Sequence, residues 1–98
     1  MTASTGLRIE GEFTIYRASE LAQALRGAFA TLPAGEALEV DIGGVTEMDC
    51  AGVQLLLASA RTASARGSAL RLAGSSAAVD EVVATLHLDD RFAEWRAA

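Results

Sequence analysis

The sequence lacks lysine, and it has one cysteine, one histidine and one proline among 98 residues. A single cysteine excludes a disulfide within the chain. The eight basic residues are all arginines and are outnumbered by 13 acids, which gives a formal net charge of -5. No basic patch is expected from this balance, which argues against nucleic acid or an anionic membrane surface as a partner.

Long apolar segments and targeting signals are missing as well. No apolar run approaches the roughly 18 residues that span a bilayer. The first stretch, MTASTGLRIEGEF, has no basic segment followed by an apolar core. We therefore expect a soluble, cytoplasmic protein without direct membrane insertion. The hydrophobic content of 51% suffices for one core in 98 residues, which predicts a single domain over residues 1–98.

The first third of the chain predicts a hairpin and a helix. The runs LRIE and FTIY are rich in β-branched and aromatic residues, and Gly11 and Glu12 separate them. This pattern predicts two antiparallel strands joined by a tight turn. The next segment, ASELAQALRGAFATLP, has apolar residues at helical spacing and ends at Pro33, so it predicts the first helix.

The middle of the chain predicts a buried strand, a loop and the second helix. ALEVDI is a compact apolar strand, which Gly43 and Gly44 are expected to end. Residues 43–50 then form a loop, and helix formers continue from about Ala51 to Arg66. Gly67 is placed to cap the end of this helix.

The last third predicts a strand, a third helix and a short final element. ALRLA reads as the strand, and Val79, Val82, Val83 and Leu86 mark one face of the helix. The tail from His87 to Ala98 carries Phe92 and Trp95, which can seal the core edge. Alternation of strands and helices predicts an α/β fold: a mixed, mostly parallel sheet of four to five strands, begun by the hairpin, with helices packed on it.

Two long stretches resemble the STAS domain family, which includes anti-sigma-factor antagonists, the small STAS subunit of bacterial lipid-transport ABC systems and the cytosolic tails of sulfate transporters. They are LEVDIGGVTEMDCAGVQLLL and ARGSALRLAGSSAAVDEVVATLHLDDRF. The resemblance runs from about Leu7 to Phe92, and its most specific part is Asp49, two small residues and Gly52 before an apolar helix. Thr14 stands where an acid is common in the family, which favours the stand-alone STAS proteins of chemotaxis gene clusters.

The resemblance implies a non-catalytic regulatory module that works by partner switching. In the antagonists a serine or threonine at the start of the second helix is phosphorylated by a kinase that is also the binding partner. The aligned residue here is Cys50. The implied partner is an anti-sigma factor, a histidine or serine kinase, or an ABC ATPase. A STAS subunit of a lipid-transport ABC complex and a thiol redox sensor centred on Cys50 are the alternatives.

Three interpretations of Cys50 follow from the sequence. It can be a small packing residue, which is the interpretation we favour. It can be a redox-sensitive thiol, which the start of a helix would favour and the carboxylate of Asp49 would oppose. It can be a nucleophile, but then it needs a base, and nothing in the sequence directs the only histidine, His87, towards it.

The acids and glycines around Cys50 are expected to be structural. Asp49 is a candidate N-terminal cap for the second helix, and Asp41 is expected to cap the loop after its strand. Two carboxylates eight residues apart make a poor metal site. Gly43 and Gly44 lack the lysine of a phosphate-binding loop. The sequence therefore predicts no metal and no cofactor, with a structural loop made by Asp41, Gly43, Gly44 and Gly52.

The outer face of the second helix is unusually apolar. Steps of 100° per residue place Val53, Leu56, Leu57, Ala60 and Ser64 on the core side. The opposite face then holds Leu55 between alanines, with no charge before Arg61. An apolar face beside Cys50 predicts an interface. The predicted partner-binding residues are Asp49, Cys50, Ala51, Gln54, Leu55 and Ala58.

Overall fold

The computed structural model describes residues 6–96. Residues 1–5 and 97–98, the two ends of the predicted single domain, lie outside this range. The elements in chain order are β1 (Gly6–Phe13), a 3-10 turn (Ile15–Arg17), α1 (Ala18–Thr31), β2 (Ala37–Met48), α2 (Cys50–Ala65), β3 (Ala69–Ala73), α3 (Ala77–Thr85) and α4 (Asp89–Trp95).

The three strands form one parallel sheet in the order β1-β2-β3. The α/β class is therefore confirmed, but within residues 6–96 the sheet has three strands rather than four to five. The predicted hairpin is wrong. Gly11 has a φ of 73° and lies inside β1 at an irregularity of its register with β2, so this glycine permits a bulge and not a turn.

The strand β2 is longer than predicted and removes most of the expected loop over 43–50. It runs through Gly43 and Gly44 because pairing with β1 continues there, Gly44 with Glu10 and Val45 with Gly11. Asp41 thus lies within β2, where its Oδ1 accepts a hydrogen bond of 2.9 Å from the Gly43 N–H. A long central strand delivers the chain directly to the start of α2.

The core lies on one face of the sheet and beneath the helices. Alternate residues of the strands are buried, and α1, α2 and α3 add apolar stripes to them. The largest fully buried side chains are Ile9, Phe13, Leu38, Val40, Ile42, Leu56, Leu72, Val79 and Phe92. Phe92 and Trp95 of α4 close one edge, with ring centroids 5.0 Å apart. Among residues 6–96 no helix combines the length and apolar character needed to cross a bilayer.

Arg17 covers part of the edge of β1. Its Nη1 donates to the carbonyl oxygens of Glu10 at 2.6 Å and Glu12 at 3.0 Å. Its Nη2 donates to Glu20 at 2.9 Å, and this ion pair holds the guanidinium in place. The 3-10 turn is thereby fixed against the end of β1, close to the start of α2.

Candidate functional site

Asp49 joins β2 to α2 and caps the helix. Its backbone is extended, and its Oδ1 accepts hydrogen bonds from the N–H groups of Ala51 at 2.9 Å and Gly52 at 3.2 Å. These bonds satisfy two of the free N–H groups at the helix start. The N-terminal cap expected from the sequence is therefore present.

The same carboxylate fixes the 3-10 turn. Its Oδ2 accepts a hydrogen bond of 3.0 Å from the N–H of Ile15, 34 residues away. The hydrogen bond from Ile15 lowers the pKa of Asp49, those from Gly52 and Ala51 lower it further, and partial desolvation opposes them. Asp49 is thus ionised at neutral pH, and it places Ile15 beside the helix start.

Gly52 allows α2 to touch the end of β1. A Cβ atom at this position would lie 2.4 Å from the carbonyl oxygen of Phe13 and 3.2 Å from the Cγ of Met48. Only a residue without a side chain fits such a contact. Gly52 was expected in a structural loop, but it lies in the first turn of α2, where it sets how closely the helix docks.

Three large hydrophobic side chains are exposed among residues 6–96. They lie in the 3-10 turn and directly after α3, two segments that meet the start of α2. Ile15 is 62% exposed, Tyr16 is 88% exposed and Leu86 is 38% exposed. The backbone N–H of Ile15 is hydrogen-bonded to the Asp49 carboxylate, and Tyr16 is the next residue of the 3-10 turn. Leu86 shares a groove with Asp49 and Cys50. We call this region, made by Ile15, Tyr16, Asp49, Cys50 and Leu86, the α2 entry surface.

The groove lies between the start of α2 and α3 and has a volume of about 320 Å³. Its wall on the α2 side is Asp49 and the exposed thiol-bearing residue Cys50. The residues that line it from the other side are Glu81, Val82, Thr85 and Leu86. An open, largely apolar depression of this kind fits a protruding side chain better than a buried small molecule.

The predicted partner-binding residues divide between two places. Cys50 and Gln54 are exposed near the entry surface, and Ala51 is half-buried there. Leu55 and Ala58 instead line a smaller groove, of about 180 Å³, between α1 and α2.

The prediction that Leu55 is exposed is wrong, because it is half-buried and packs against the core. The helical face was misplaced by about one residue. Ser59 and Ala63 are buried, whereas Ser64, assigned to the core side, is exposed. The face is set by Gly52 docking on Phe13, a long-range contact that stepping along α2 cannot reveal.

The sequence interpretation missed Ile15, Tyr16 and Leu86. Ile15 and Tyr16 were assigned to a strand, because β-branched and aromatic residues favour strands. Leu86 was assigned to the core stripe of the third helix. Helix α3 ends at Thr85, and His87 follows with a φ of 56°, so the chain turns and Leu86 leaves the buried face. No signal in the sequence separates these exposed residues from core residues.

Cys50 has no histidine beside it in the groove. No histidine lines this groove, and His87 is an exposed residue beyond the end of α3. Within residues 6–96 there is also no group of three or more histidine, cysteine or acidic side chains that could hold a metal ion. The groove and the exposed side chains near it offer a surface for binding.

The family model described as "Mlab, STAS domain" matches residues 2–94. The chain belongs to the STAS domain family. STAS domains mediate protein–protein interaction and are generally non-catalytic. No curated protein sequence matches this chain.

Solved structures of two STAS-containing proteins share the fold. A sulfate transporter family protein from Wolinella succinogenes is 18% identical with a TM-score of 0.72, and the match covers 95% of this chain and 75% of that one. The STAS domain of a SulP transporter from Vibrio cholerae is 17% identical with a TM-score of 0.65, over 98% of this chain and 75% of that one. At these identities the likeness establishes the fold alone.

Proposed function

We propose that this STAS domain is a non-catalytic regulatory module of the anti-sigma-factor antagonist type, which binds a kinase or another signalling protein through the α2 entry surface. The observation that carries the proposal is the position of Ile15, Tyr16 and Leu86. Leu86 lines the groove at the start of α2, and Ile15 and Tyr16 lie in the 3-10 turn that is hydrogen-bonded to Asp49 at the same place. Exposed apolar residues that cluster beside a groove are typical of protein interfaces.

Cys50 occupies the position at which antagonists of this family carry a phosphorylatable serine or threonine. It is exposed, so a hydroxyl here would be within reach of a kinase, but a thiol is not a substrate for a serine kinase. The partner-switching cycle thus lacks its off state in this protein, and binding is constitutive.

A second candidate function uses the same surface. The description of the family model that matches this chain is "Mlab, STAS domain". We therefore keep as the alternative a STAS subunit that docks on the ATPase of a lipid-transport ABC complex. The identity of the partner separates the two candidates.

Photo-crosslinking from the entry surface tests the proposal. A photoreactive amino acid replaces Tyr16, which is 88% exposed, and in the control it replaces Ala34, an exposed residue in the turn before β2. Ala34 lies at the opposite end of β2 from Asp49. We expect a specific adduct from position 16 in the source organism and none from position 34.

Mass spectrometry of the adduct identifies the partner, which is then purified so that its binding can be measured by calorimetric titration. Tyr16→Ala should weaken its binding about tenfold or more, as buried aromatic anchors of interfaces do, and Ala34→Ser should not. A kinase or anti-sigma factor supports the first function, and an ABC ATPase supports the second. Equal crosslinking from both positions, or unchanged affinity of Tyr16→Ala, rejects the entry surface as the interface.

A further inference from the structure

The groove beside α2 has acidic groups and no basic group in its lining. Asp49 stands on one side and Glu81 on the other, while Val82 and Leu86 supply apolar surface. One occupant of the groove would thus meet both residues, although the Asp49 carboxylate already accepts three backbone hydrogen bonds. An occupant matched to this lining is apolar along its length and positive at its end.

Nearby arginine does not neutralise the groove. Arg96 donates to Asp80 at 3.3 Å and to the carbonyl oxygen of Gly74 at 2.7 Å. Glu81, the neighbour of Asp80, forms no salt bridge with another residue of the range 6–96. A positive charge brought by a partner would therefore meet an uncompensated carboxylate.

The helix dipole of α2 opposes a cation at this place, but it is the smaller effect. A helix start carries about half a positive charge on its free N–H groups. Two of these groups, those of Ala51 and Gly52, are already bonded to Asp49. The combined negative charge of Asp49 and Glu81 exceeds this half charge, even though Asp49 is already hydrogen-bonded to the helix start.

We infer that the partner inserts an arginine or lysine side chain into this groove, with its aliphatic stem along Val82 and Leu86 and its charged end between Asp49 and Glu81. This inference rests on the proposed interaction at the α2 entry surface and specifies its chemistry. A stem packed on apolar surface with a charged head at a carboxylate is how long basic side chains bind. An acidic or phosphorylated side chain is disfavoured here by like-charge repulsion.

Cys50 reports on the groove directly, because it is exposed and lines it. Its thiol exchanges with a symmetric disulfide to give a mixed disulfide and one released thiol. The probes are cystamine, which leaves a cationic adduct, and 3,3′-dithiodipropionate, which leaves an anionic adduct of similar size. The ratio of cationic to anionic adduct at equilibrium is measured by mass spectrometry for the parent protein and for Glu81→Gln.

The adduct ratio of the parent protein is divided by that of Glu81→Gln. This quotient does not depend on the intrinsic reactivity of the two reagents, because that reactivity is the same for both proteins. We expect it to be at least about threefold at low salt, since an exposed charge pair changes an equilibrium by up to about fivefold for each adduct. It should approach one in 0.5 M salt because of screening. Glu36→Gln, at the opposite end of β2, should give the parent ratio. A quotient of one at low salt overturns the inference and leaves the interaction at Tyr16 unaffected.

The identified partner supplies the second arm. Glu81→Arg should weaken its binding about tenfold or more, while Glu36→Arg binds as the parent protein does. If Tyr16→Ala weakens binding and Glu81→Arg does not, the entry surface is the interface but its groove takes no basic side chain, and the inference is wrong.

Discussion

Gly52→Ala should destabilise the protein even though alanine is the better helix former. The new Cβ would lie 2.4 Å from the carbonyl oxygen of Phe13, about 1 Å closer than an ordinary contact. Because that neighbour is a backbone atom at the end of a strand, it cannot turn aside. The start of α2 must move instead, together with the bonds that Asp49 makes to it.

The magnitude follows from two opposing terms. Replacing a helical glycine by alanine gains about 1 kcal/mol of helix propensity. Overpacking typically costs about 1 to 3 kcal/mol, and a collision with backbone belongs at the upper end. The expected net loss is about 2 kcal/mol, which for a domain of this size lowers the Tm by about 8 to 16 °C.

Gly27→Ala is the matched control in the same fold. Gly27 lies in the exposed interior of α1, and a Cβ there would meet no atom within 4 Å. Only the propensity gain remains, so the free energy of unfolding should rise by about 0.5 to 1 kcal/mol. Urea unfolding of both variants checks the two signs. If Gly52→Ala is stabilised like Gly27→Ala, the close docking of α2 on β1 is refuted.

Three further predictions concern the entry surface and its support. Asp49→Asn removes a carboxylate whose folded pKa is lowered by hydrogen bonds from Ile15, Gly52 and Ala51. The stability that the lowered pKa contributes is present above the unfolded pKa of about 4 and is lost as the pH falls through the folded value. In urea titrations, the gap in unfolding free energy between the parent and this variant should therefore begin to narrow as the pH falls through the unfolded pKa of about 4 and continue to narrow as it falls through the lower folded pKa. A gap independent of pH contradicts the assignment. Val83→Ala, at a position 3% exposed, should leave a cavity that costs on the order of 1 to 3 kcal/mol. Leu86→Ala should change the urea midpoint little and weaken partner binding. Equal urea midpoints for the two variants would contradict the packing of α3 through Val83. Cys50→Ser should keep the parent stability and gain a hydroxyl at an exposed helix start. When the parent protein and this variant are each incubated with ATP and the cognate kinase, mass spectrometry should detect a phosphate on the serine variant only. Parent binding that changes reversibly with peroxide and reductant would instead assign Cys50 a redox role.

The sequence predicts local structure here better than it predicts pairing. The periodic helices, the cap at Asp49 and the glycine that ends α2 all depend on neighbours within one or two turns, and Gly67 indeed has a φ of 70° after that helix. Pairing in a parallel sheet depends on residues far apart in the chain. Gly11 and Gly44 are breakers in local terms, yet they lie in β1 and β2 because the two strands pair with each other there.

The candidate site shows the same division. The position of Cys50 at a helix start follows from its neighbours in the chain. The exposure of Tyr16 depends on the 3-10 turn that Asp49 holds from 34 residues away, through the N–H of Ile15. The burial of Leu55 depends on α1 packing beside it. Such contacts leave no periodic trace in the sequence, so the helix could be located but the surface around it could not.

Arg17 covers part of the edge of β1, and this limits the kind of ligand that can bind at this edge, beside the entry surface. The carbonyl oxygens of Glu10 and Glu12 are already engaged by its guanidinium, and Glu20 holds that group in place. An extended peptide that bound by strand addition would have to break these bonds before it formed its own. Inhibitors aimed at this protein should therefore present side chains from a helix or a folded loop, since a strand-mimicking peptide would find the neighbouring sheet edge occupied.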